Sequence, residues 1–360
     1  MSTEPAPLPS GRFRLSYWWF LAPILLVFTG LAIAGSLARS PYVVLSPGSA
    51  RGTEPLITVP KDKSHQTKGS ILFTTVSVRQ HATYAEALYG WLKSDLDVFP
   101  YKAIYGDQTR AQNQAEGRQD MNQSKLVAGK VALEELGYTV KTTGTGVLLL
   151  DVDASFPSAK VIHKGDTIVA FDGKKVTIDS QLVELIQAHQ PGDTVTLTIE
   201  PSGTRTDRQV TTTLGRRPNT DVPALGVSIQ TRDLNFTLPF PIGIDSGRVG
   251  GPSAGLAFTL GVLDRLTPGS ITGGHIVAVT GAMSADGQVQ QVGGVRQKAV
   301  AARLAGSELF IVPTGEYDDA LETAGAMKVV KADTLQQALE RLAALGGNAL
   351  ELGKPGAPST

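Results

Sequence analysis

The hydrophobic pattern begins with an uncharged stretch near the N-terminus. Residues 15–38 read LSYWWFLAPILLVFTGLAIAGSLA, 24 residues without a charged side chain. A helix of that length spans about 36 Å, enough for a hydrocarbon core of about 30 Å. We therefore predict a transmembrane helix over residues 15–38. A cleaved signal peptide and a buried core helix are the alternatives, the former because Ala32-Ile33-Ala34 resembles a cleavage site.

The charges around this stretch predict its orientation only weakly. Arg12 and Arg14 precede it, and Arg39 and Arg51 follow it, so the basic residues are nearly balanced. An anchor this close to the N-terminus leaves the bulk of the chain outside the cytoplasm. We therefore expect a single-pass protein with a cytoplasmic segment 1–14, in contact with the bilayer through the predicted span.

The pattern is least regular over residues 39–143, which we predict to be an extracytoplasmic N-terminal region. It includes a strand at 71–78, a helix at 85–96, a polar run at 107–125 that is helical or loosely ordered, and a helix at 125–137. No site chemistry emerges here. We expect a spacer or scaffold that packs against the C-terminal two thirds of the chain.

From residue 144 to residue 216 the pattern changes to short strands around one helix. The stretches FPSAK and HKGDTIVAFDGKKV are followed by a helix and by PGDTVTLTI. This region resembles a PDZ domain of the bacterial protease-associated kind. The resemblance implies a mostly β domain with one groove helix.

PDZ domains bind an extended peptide as an added strand, while loop amides receive the terminal carboxylate. The alternative is that the protein fills its own groove and the domain is a packing module. The residues that the resemblance places along the groove belong to the receiving loop, the edge strand and the helix: Gly144, Thr145, Gly146, Val147, Leu148, Leu182 and Leu185.

Residues 217–346 alternate between strands and helices, which predicts an α/β domain. The whole chain is accordingly expected to be α+β, ending in a disordered tail at 347–360. The predicted strands and helices of this domain are a strand at 236–244, a helix at 253–266, strands at 275–283 and 288–293, a helix at 295–306 and a strand at 308–313.

Composition restricts the chemistry more than it identifies it. Lys+Arg and Asp+Glu both number 33, so the net charge is zero, and we expect no nucleic-acid partner. The chain has no cysteine, which excludes disulfides and thiolate metal sites. We expect no metal and no cofactor.

The stretch GGPSAG places Ser253 in a glycine-rich turn at the start of a predicted helix. The helix dipole and the converging N–H groups favour an oxyanion there. A Ser-His-Asp triad would have to use His275 and Asp264. However, Asp264 lies at the far end of the same helix, about 16 Å from Ser253. We consider this triad a minor alternative.

A lysine is the other candidate base for Ser253. To be neutral at working pH, its pKa would have to fall from about 10.4 to near 7, which requires burial away from carboxylates. Lys298 meets this demand best, because no Asp or Glu occurs between Gly287 and Ser307. A lysine base predicts activity that rises toward alkaline pH.

The stretches GGPSAGLAFTLGVLD, VAVTGAMSADGQVQQVGGVRQKAVAARLAG and FIVP are similar to the proteolytic domain of the Lon protease family. This resemblance implies that Ser253 is the nucleophile and Lys298 the general base. It also implies that the Thr280 hydroxyl orients the lysine. The turn residues expected around the oxyanion are Gly251, Pro252 and Ala254.

Two features depart from that family. Lon members commonly carry an acidic residue three positions before the serine, where this chain has Gly250, which puts in doubt how the serine loop is held. The chain also lacks a Gly-x-x-x-x-Gly-Lys-Ser/Thr phosphate loop, so we expect no ATPase motor.

The arrangement as a whole resembles the membrane-anchored PDZ–Lon peptidases of bacteria. It implies an ATP-independent serine endopeptidase in the bacterial cell membrane that cleaves unfolded or membrane-proximal extracytoplasmic polypeptides. Lon-type domains often form rings, so a homo-oligomer is among the expected partners. The alternative is a catalytically inactive, membrane-anchored PDZ adaptor whose Lon-like domain serves assembly.

Overall fold

A computed structural model describes residues 18–106, 108–218 and 220–352. The predicted cytoplasmic segment 1–14 and most of the predicted tail 347–360 lie outside the described residues.

Helices and strands alternate along most of the described chain. The α-helices are α1 (Trp18–Leu37), α2 (Tyr84–Leu92), α3 (Tyr101–Tyr105), α4 (Arg110–Glu135), α5 (Asp179–Gln187), α6 (Gly255–Leu266), α7 (Val295–Leu304), α8 (Tyr317–Ala324) and α9 (Leu335–Ala343). The strands are β1 (Tyr42–Gly52), β2 (Ile57–Thr58), β3 (Ser70–Arg79), β4 (Asp97–Pro100), β5 (Lys141–Thr143), β6 (Gly146–Val152), β7 (Thr167–Phe171), β8 (Lys174–Lys175), β9 (Thr194–Glu200), β10 (Arg208–Thr213), β11 (Gly215–Arg216), β12 (Pro223–Ala224), β13 (Val227–Arg232), β14 (Asn235–Thr237), β15 (Gly243–Ile244), β16 (Ile276–Val279), β17 (Ala282–Met283), β18 (Val289–Gln290), β19 (Leu309–Val312) and β20 (Lys328–Lys331).

The larger structural unit is built on a main sheet of six strands in the order β20-β19-β16-β3-β1-β4. Strands β20, β19, β16 and β3 run parallel, whereas β1 and β4 are antiparallel to their neighbours. The region expected to be a spacer therefore contributes half of this sheet. In parallel sheets, ligands bind beyond the carboxyl ends of the strands. Thr280 follows β16 at that edge of the main sheet.

Helix α6 lies in the centre of the main core. Every residue from Gly255 to Asp264 is buried, including Phe258, whose ring lies 5.6 Å from that of Phe73 on β3. A helix that is apolar on all sides must be enclosed by other elements. Helix α4 covers it on one side and the main sheet on the other. The turn that leads into α6 is therefore attached to a helix that is enclosed on both sides.

The second sheet is antiparallel and has its own hydrophobic core. Its order is β10-β9-β7-β6-β13, with β8 paired to β7. Alternating burial along β9, from Val195 through Leu197 to Ile199, gives it one apolar face against α5. The last strand, β13, lies outside the region 144–216 predicted for this domain.

The predicted transmembrane helix over residues 15–38 is wrong. The helix that forms, α1, has 20 residues with Pro23 inside it, whereas the uncharged stretch has 24. Residues 15–17 lie outside the described residues. Among those described, no helix combines the length and the apolar character that a membrane crossing needs. The prediction relied on the uncharged stretch alone.

The predicted localisation is wrong as well, because it depended on the transmembrane helix. A single-pass protein in a bacterial cell membrane, with its catalytic domain outside the cytoplasm and bilayer contact through residues 15–38, requires a crossing helix. The described part of the chain contains none. The membrane component of the expected fold class is wrong for the same reason, and the remainder is a mixed α/β protein.

Two local predictions also differ from the structure. The single strand expected over 236–244 is two short strands, β14 and β15, because Pro239 and Pro241 lack the N–H that a ladder needs. The polar run at 107–125 and the helix at 125–137 are largely one helix, α4, which Thr109 caps by accepting the Gln112 N–H.

Candidate active site

Ser253 lies in the turn that leads into α6, two residues before the helix begins. Gly251 in this turn has a φ of +86°, a left-handed conformation that favours glycine. The Ser253 carbonyl accepts the Gly281 N–H at 3.1 Å, which ties the turn to the segment after β16. The serine is therefore presented at the N-terminus of a buried helix from a backbone fixed on both sides.

Helix α4 holds this turn from the opposite direction. The Gly251 N–H donates to the Gly117 carbonyl oxygen at 2.7 Å, and the Ser124 hydroxyl donates to the Pro252 carbonyl oxygen at 3.1 Å. A Cβ on Gly250 would lie 3.2 Å from the Gly117 carbonyl group, tighter than nine in ten real Cβ contacts. Helix α4 lies where a side chain at position 250 would extend, and this agrees with a glycine in place of the acidic residue common in Lon proteases.

Lys298 stands in the first turn of α7, where its backbone N–H donates to the Gly294 carbonyl oxygen at 3.0 Å. Its side chain is buried, with 3 % of the residue surface exposed. Burial lowers the pKa of Lys298 to about 8, and the nearby Glu316 opposes this by raising it. The lysine is therefore partly neutral near pH 8.

Ser253 and Lys298 line the same cavity, which has a volume of about 660 Å³. Pro252 and Ala254 also line it, and Gly293 lies on its wall beside the lysine helix. The structure thus brings together a serine and a buried lysine that lie 45 positions apart in the sequence.

Glu316 is the acidic residue whose charge acts on the pKa of Lys298. It follows strand β19 in the sequence. Its Oε1 accepts the Val292 N–H at 2.9 Å, while its buried Oε2 has no hydrogen-bond partner. Burial raises the pKa of Glu316, and the Val292 hydrogen bond and the Lys298 charge oppose the rise. The stretch around Lys298 is free of acids in sequence, but its surroundings in space are not.

Thr280 is fully buried, and its Oγ1 has no hydrogen-bond partner among the described residues. Its backbone N–H donates to the Ile311 carbonyl oxygen at 3.0 Å. The hydrogen bond from Thr280 to Lys298 that the family resemblance implies is not formed in this structure. A buried hydroxyl without a partner is costly, so this group is an available hydrogen-bonding site.

The expected oxyanion residues differ in what their backbone offers. The Gly251 N–H already donates to α4, and Pro252 has no N–H. Within the described ranges, the N–H groups of Ser253 and Ala254 donate to no protein acceptor. These two groups, at the N-terminus of α6, are therefore the candidates to stabilise an oxyanion.

The alternative triad is not assembled. The His275 Nδ1 lies 2.8 Å from Glu308 Oε2, in a pair exposed to solvent. Asp264 is buried and accepts the Ile271 N–H at 3.1 Å, and burial raises its pKa to about 6. Neither His275 nor Asp264 lines the cavity at Ser253.

Two family models match the chain. The model of the Lon protease (S16) C-terminal proteolytic domain matches residues 241–344, and a PDZ domain model matches residues 134–212. The chain carries a PDZ domain and a Lon-type proteolytic domain. This confirms the resemblance to PDZ–Lon-type peptidases expected from the sequence.

Similar curated proteins are Lon proteases, and the similarity is partial. The Lon protease of Campylobacter concisus is 32% identical over 95 residues, which are 25% of this chain and 12% of that protein. Lon protease 2 of Bacillus subtilis is 29% identical over 118 residues, 33% of this chain and 20% of that protein. The chain therefore spans a fifth or less of these relatives.

Among solved structures, the PDZ domain of the SdrC-like protein from Listeria monocytogenes is 27% identical. The match covers 25% of this chain and 92% of that one, with a TM-score of 0.23. The PDZ assignment rests on the family model and not on this overall likeness.

In the PDZ domain, strand β13 occupies the edge where a peptide was expected. It pairs antiparallel with β6, from Val227 opposite Val152 to Arg232 opposite Gly146. The Thr145 N–H of the expected receiving loop donates to the Arg232 carbonyl oxygen at 2.9 Å.

The predicted groove residues lie around β13. Leu182 is fully buried in the PDZ core, and Leu185 is partly buried against it. Val147 lies opposite Thr231, and Leu148 opposite Gln230. Gly144 packs so close to Thr231 that a Cβ would reach its methyl group at 2.4 Å. Strand β13 therefore occupies the β6 edge, which favours the alternative of a packing module.

The sequence reasoning missed several residues that shape the site. Gly117 and Ser124 on α4 hold the serine turn, and the charge of Glu316 raises the pKa of the lysine. All three act across tertiary contacts between segments far apart in sequence. The start of α4 was visible in the Thr109–Gln112 capping pattern, but nothing local to it pointed to the serine.

Proposed function

We propose that this protein is a serine endopeptidase in which Ser253 is the nucleophile and Lys298 the general base, and that it works without ATP hydrolysis. The observation that carries the proposal is the shared cavity: Lys298 lines it beside Ser253, is buried, and has a pKa lowered to about 8. A buried lysine beside a serine on a helix N-terminus matches what a Ser-Lys pair requires.

The first step is acylation of Ser253. Neutral Lys298 accepts the proton of the Ser253 hydroxyl, and the serine oxygen bonds to the carbonyl carbon of the scissile peptide. The carbonyl oxygen becomes an oxyanion, which the N–H groups of Ser253 and Ala254 stabilise. The Lys298 ammonium then gives its proton to the leaving amine, and the C–N bond breaks.

The second step is hydrolysis of the acyl-enzyme. Lys298, neutral again, takes a proton from water, and the resulting hydroxide attacks the ester carbonyl. The same N–H groups stabilise the second oxyanion. Return of the proton to Ser253 releases the acid product.

Thr280 has a role consistent with its position. Its buried hydroxyl is without a partner, and it follows β16 at the edge of the sheet where the site lies. We assign it to orient Lys298 during the reaction. A hydroxyl that accepts a hydrogen bond from the ammonium would favour the lysine position for the return of its proton.

The proposed substrates are unfolded or extended polypeptides. PDZ and Lon-type proteolytic domains both fit a polypeptide partner. The 360 residues contain no Gly-x-x-x-x-Gly-Lys-Ser/Thr phosphate loop. A chain without such a motor would not pull folded substrates apart, so its targets should already be accessible.

The test is cleavage of fluorescein-labelled casein, an unfolded polypeptide, by the full chain at pH 8.5 without ATP. Ser253→Ala and Lys298→Ala should each lose at least about 10³-fold in rate. The matched controls Ser180→Ala and Lys328→Ala replace exposed residues outside the cavity and should cleave like wild type. If wild type and both site variants are equally inert, an inactive adaptor replaces the peptidase.

A further inference from the structure

We infer that the cavity at Ser253 selects polypeptides that carry Asp or Glu side chains near the scissile bond. The inference rests on the proposed function, whose substrate class it makes specific. The recognising groups are the guanidinium groups of Arg51 and Arg248, which line the same cavity as Ser253 and Lys298.

The charged residues that line this cavity are all basic. Arg51, Arg248 and Lys298 line it, and no Asp or Glu does. The whole chain has equal numbers of basic and acidic residues, so the imbalance is local.

Other cavities of the described chain differ in this respect. One of about 790 Å³ is lined by Asp151 and Asp153 as well as Arg217. Another of about 760 Å³ is lined by several carboxylates beside Lys130. Compared with these cavities of the described residues, the one with the serine and lysine combines arginines with an absence of carboxylates.

Both arginines are available to a ligand. Among the described residues, neither guanidinium makes an ion pair or a hydrogen bond, and both residues are exposed. The Arg51 guanidinium lies 5.1 Å from the centre of the Phe73 ring, a cation–π contact that restrains it at the wall of the cavity. Arg248 is five residues before Ser253, on the approach to the nucleophile turn.

Their placement on separate segments suits an extended substrate. Arg51 belongs to β1, while Arg248 lies in the loop after β15. A polypeptide crossing Ser253 would meet a cation from each segment. Arginine forms paired hydrogen bonds with a carboxylate, so Asp or Glu fits these positions better than an amide or a lysine.

Binding can be measured apart from catalysis in the full-length Ser253→Ala protein, by fluorescence anisotropy. Three fluorescein-labelled, C-terminally amidated decapeptides of Ala, Gln and Leu would carry Asp, Asn or Lys at two central positions. A fourth peptide would be the Asn version with a free C-terminal carboxylate. Asp and Asn have the same shape, so their comparison isolates the charge.

We expect the Asp peptide to bind about tenfold more tightly than the Asn peptide, and the Lys peptide to bind most weakly. Adding Arg51→Gln or Arg248→Gln should each reduce the Asp preference about two- to fivefold, the size of one exposed charge pair. Arg51→Lys, which keeps the charge but not the paired hydrogen bonds, should retain part of it. Arg303→Gln, which removes an exposed arginine outside the cavity, should not change it.

Equal binding of the Asp and Asn peptides would overturn the inference, as would an equal loss in Arg303→Gln. Tighter binding of the free-carboxylate Asn peptide than of the Asp peptide would assign the cavity to chain termini and also overturn it.

Cleavage of the same peptides by wild type tests the acidic preference and the proposed peptidase activity separately. Ser253-dependent cleavage without an acidic preference leaves the peptidase standing and rejects the inference. An acidic preference in binding without cleavage rejects the peptidase alone.

Discussion

The main sheet and the PDZ sheet differ in whether their expected binding groups have partners. At the carboxyl edge of the main sheet, Thr280 Oγ1 and Glu316 Oε2 are buried without hydrogen bonds, and Lys298 is buried as well. In the PDZ sheet, the Thr145 N–H and the edge of β6 are already bonded to β13. A buried polar group without a partner costs stability and remains able to bind a ligand group. This contrast supports our proposal that the chemistry takes place at the main sheet, whereas strand β13 occupies the PDZ edge.

The largest expected effect tests whether Lys298 acts by losing its proton. Lys298→Arg keeps a positive charge, but a guanidinium stays protonated at any working pH. We expect cleavage to fall about 10³-fold, as far as in Lys298→Ala, because general-base assistance is worth about 10²–10⁴. Casein cleavage at pH 8.5 measures it. Activity of Lys298→Arg within tenfold of wild type would show that only charge is needed.

The second effect concerns the stability cost of the buried lysine. Lys298 has a pKa of about 8 in the folded protein, against 10.5 for the usual side chain. Below pH 8 the lysine is charged in both states, and its burial costs about 3 kcal/mol of unfolding free energy. Lys298→Met should therefore be more stable than wild type by about that amount at pH 7.

The sign of the pH dependence checks the second prediction. Between pH 8 and 10.5 only the unfolded state holds the proton, so wild-type stability rises with pH relative to Lys298→Met. The gap should shrink across this window in urea unfolding experiments. Lys328→Met, on the exposed surface, should show no such gap at either pH. A destabilised Lys298→Met at pH 7 would contradict the account.

The third effect tests the contact between α4 and the serine turn. A Cβ on Gly250 would lie 3.2 Å from the Gly117 carbonyl group, whereas one on Gly117 would lie 3.6 Å from the Gly251 nitrogen, an ordinary contact. We expect Gly250→Ala to lower kcat about tenfold, since a displacement of about 1 Å can cost up to about a hundredfold. Gly117→Ala, on the other side of the same contact, should stay within about twofold. Equal rates in the two variants would show that α4 does not position Ser253.

A smaller effect concerns Glu316. Its charge raises the pKa of Lys298, so Glu316→Gln should lower that pKa. The midpoint of the pH–rate profile should then move to lower pH than in wild type. A midpoint that moves to higher pH would mean that Glu316 does not act on the lysine through its charge.

The smallest expected effect is at the PDZ edge. The Thr145 N–H is bonded to Arg232, so a peptide with a free C-terminal carboxylate should bind no better than its amidated form. Isothermal titration with the full chain measures both affinities. A clear preference for the free carboxylate that persists in the Arg51→Gln and Arg248→Gln variants would show that β13 leaves the groove and would remove the contrast between the two sheets.

The sequence predicted those parts of the site that depend on local patterns. The GGPSAG turn and the apolar positions after it identified Ser253 and the helix behind it, although α6 begins two residues later than predicted. Lys298 was found because its own stretch lacks acids. Glu316 was not found, because strand β19 separates it from the lysine in sequence and only folding brings them together.

Pairing between distant strands was the hardest part to predict. The apolar pattern of β6 predicts a strand but not its partner, so β13 was not recognised as the strand beside it. The contribution of β1, β3 and β4 to the main sheet was missed for the same reason. The transmembrane prediction failed differently: it relied on an uncharged stretch alone, and no helix of the described residues is long and apolar enough to cross a membrane.

The pH dependence of kcat/KM for casein cleavage tests the central claim most directly, because it reports the ionisation of groups in the free enzyme. Lys298 must be neutral to accept the Ser253 proton, and its pKa is lowered to about 8. The rate should therefore rise with pH to a plateau, with a midpoint near pH 8. A maximum below about pH 6, or a rate that stays constant from about pH 6 to about pH 9, would contradict a lysine base.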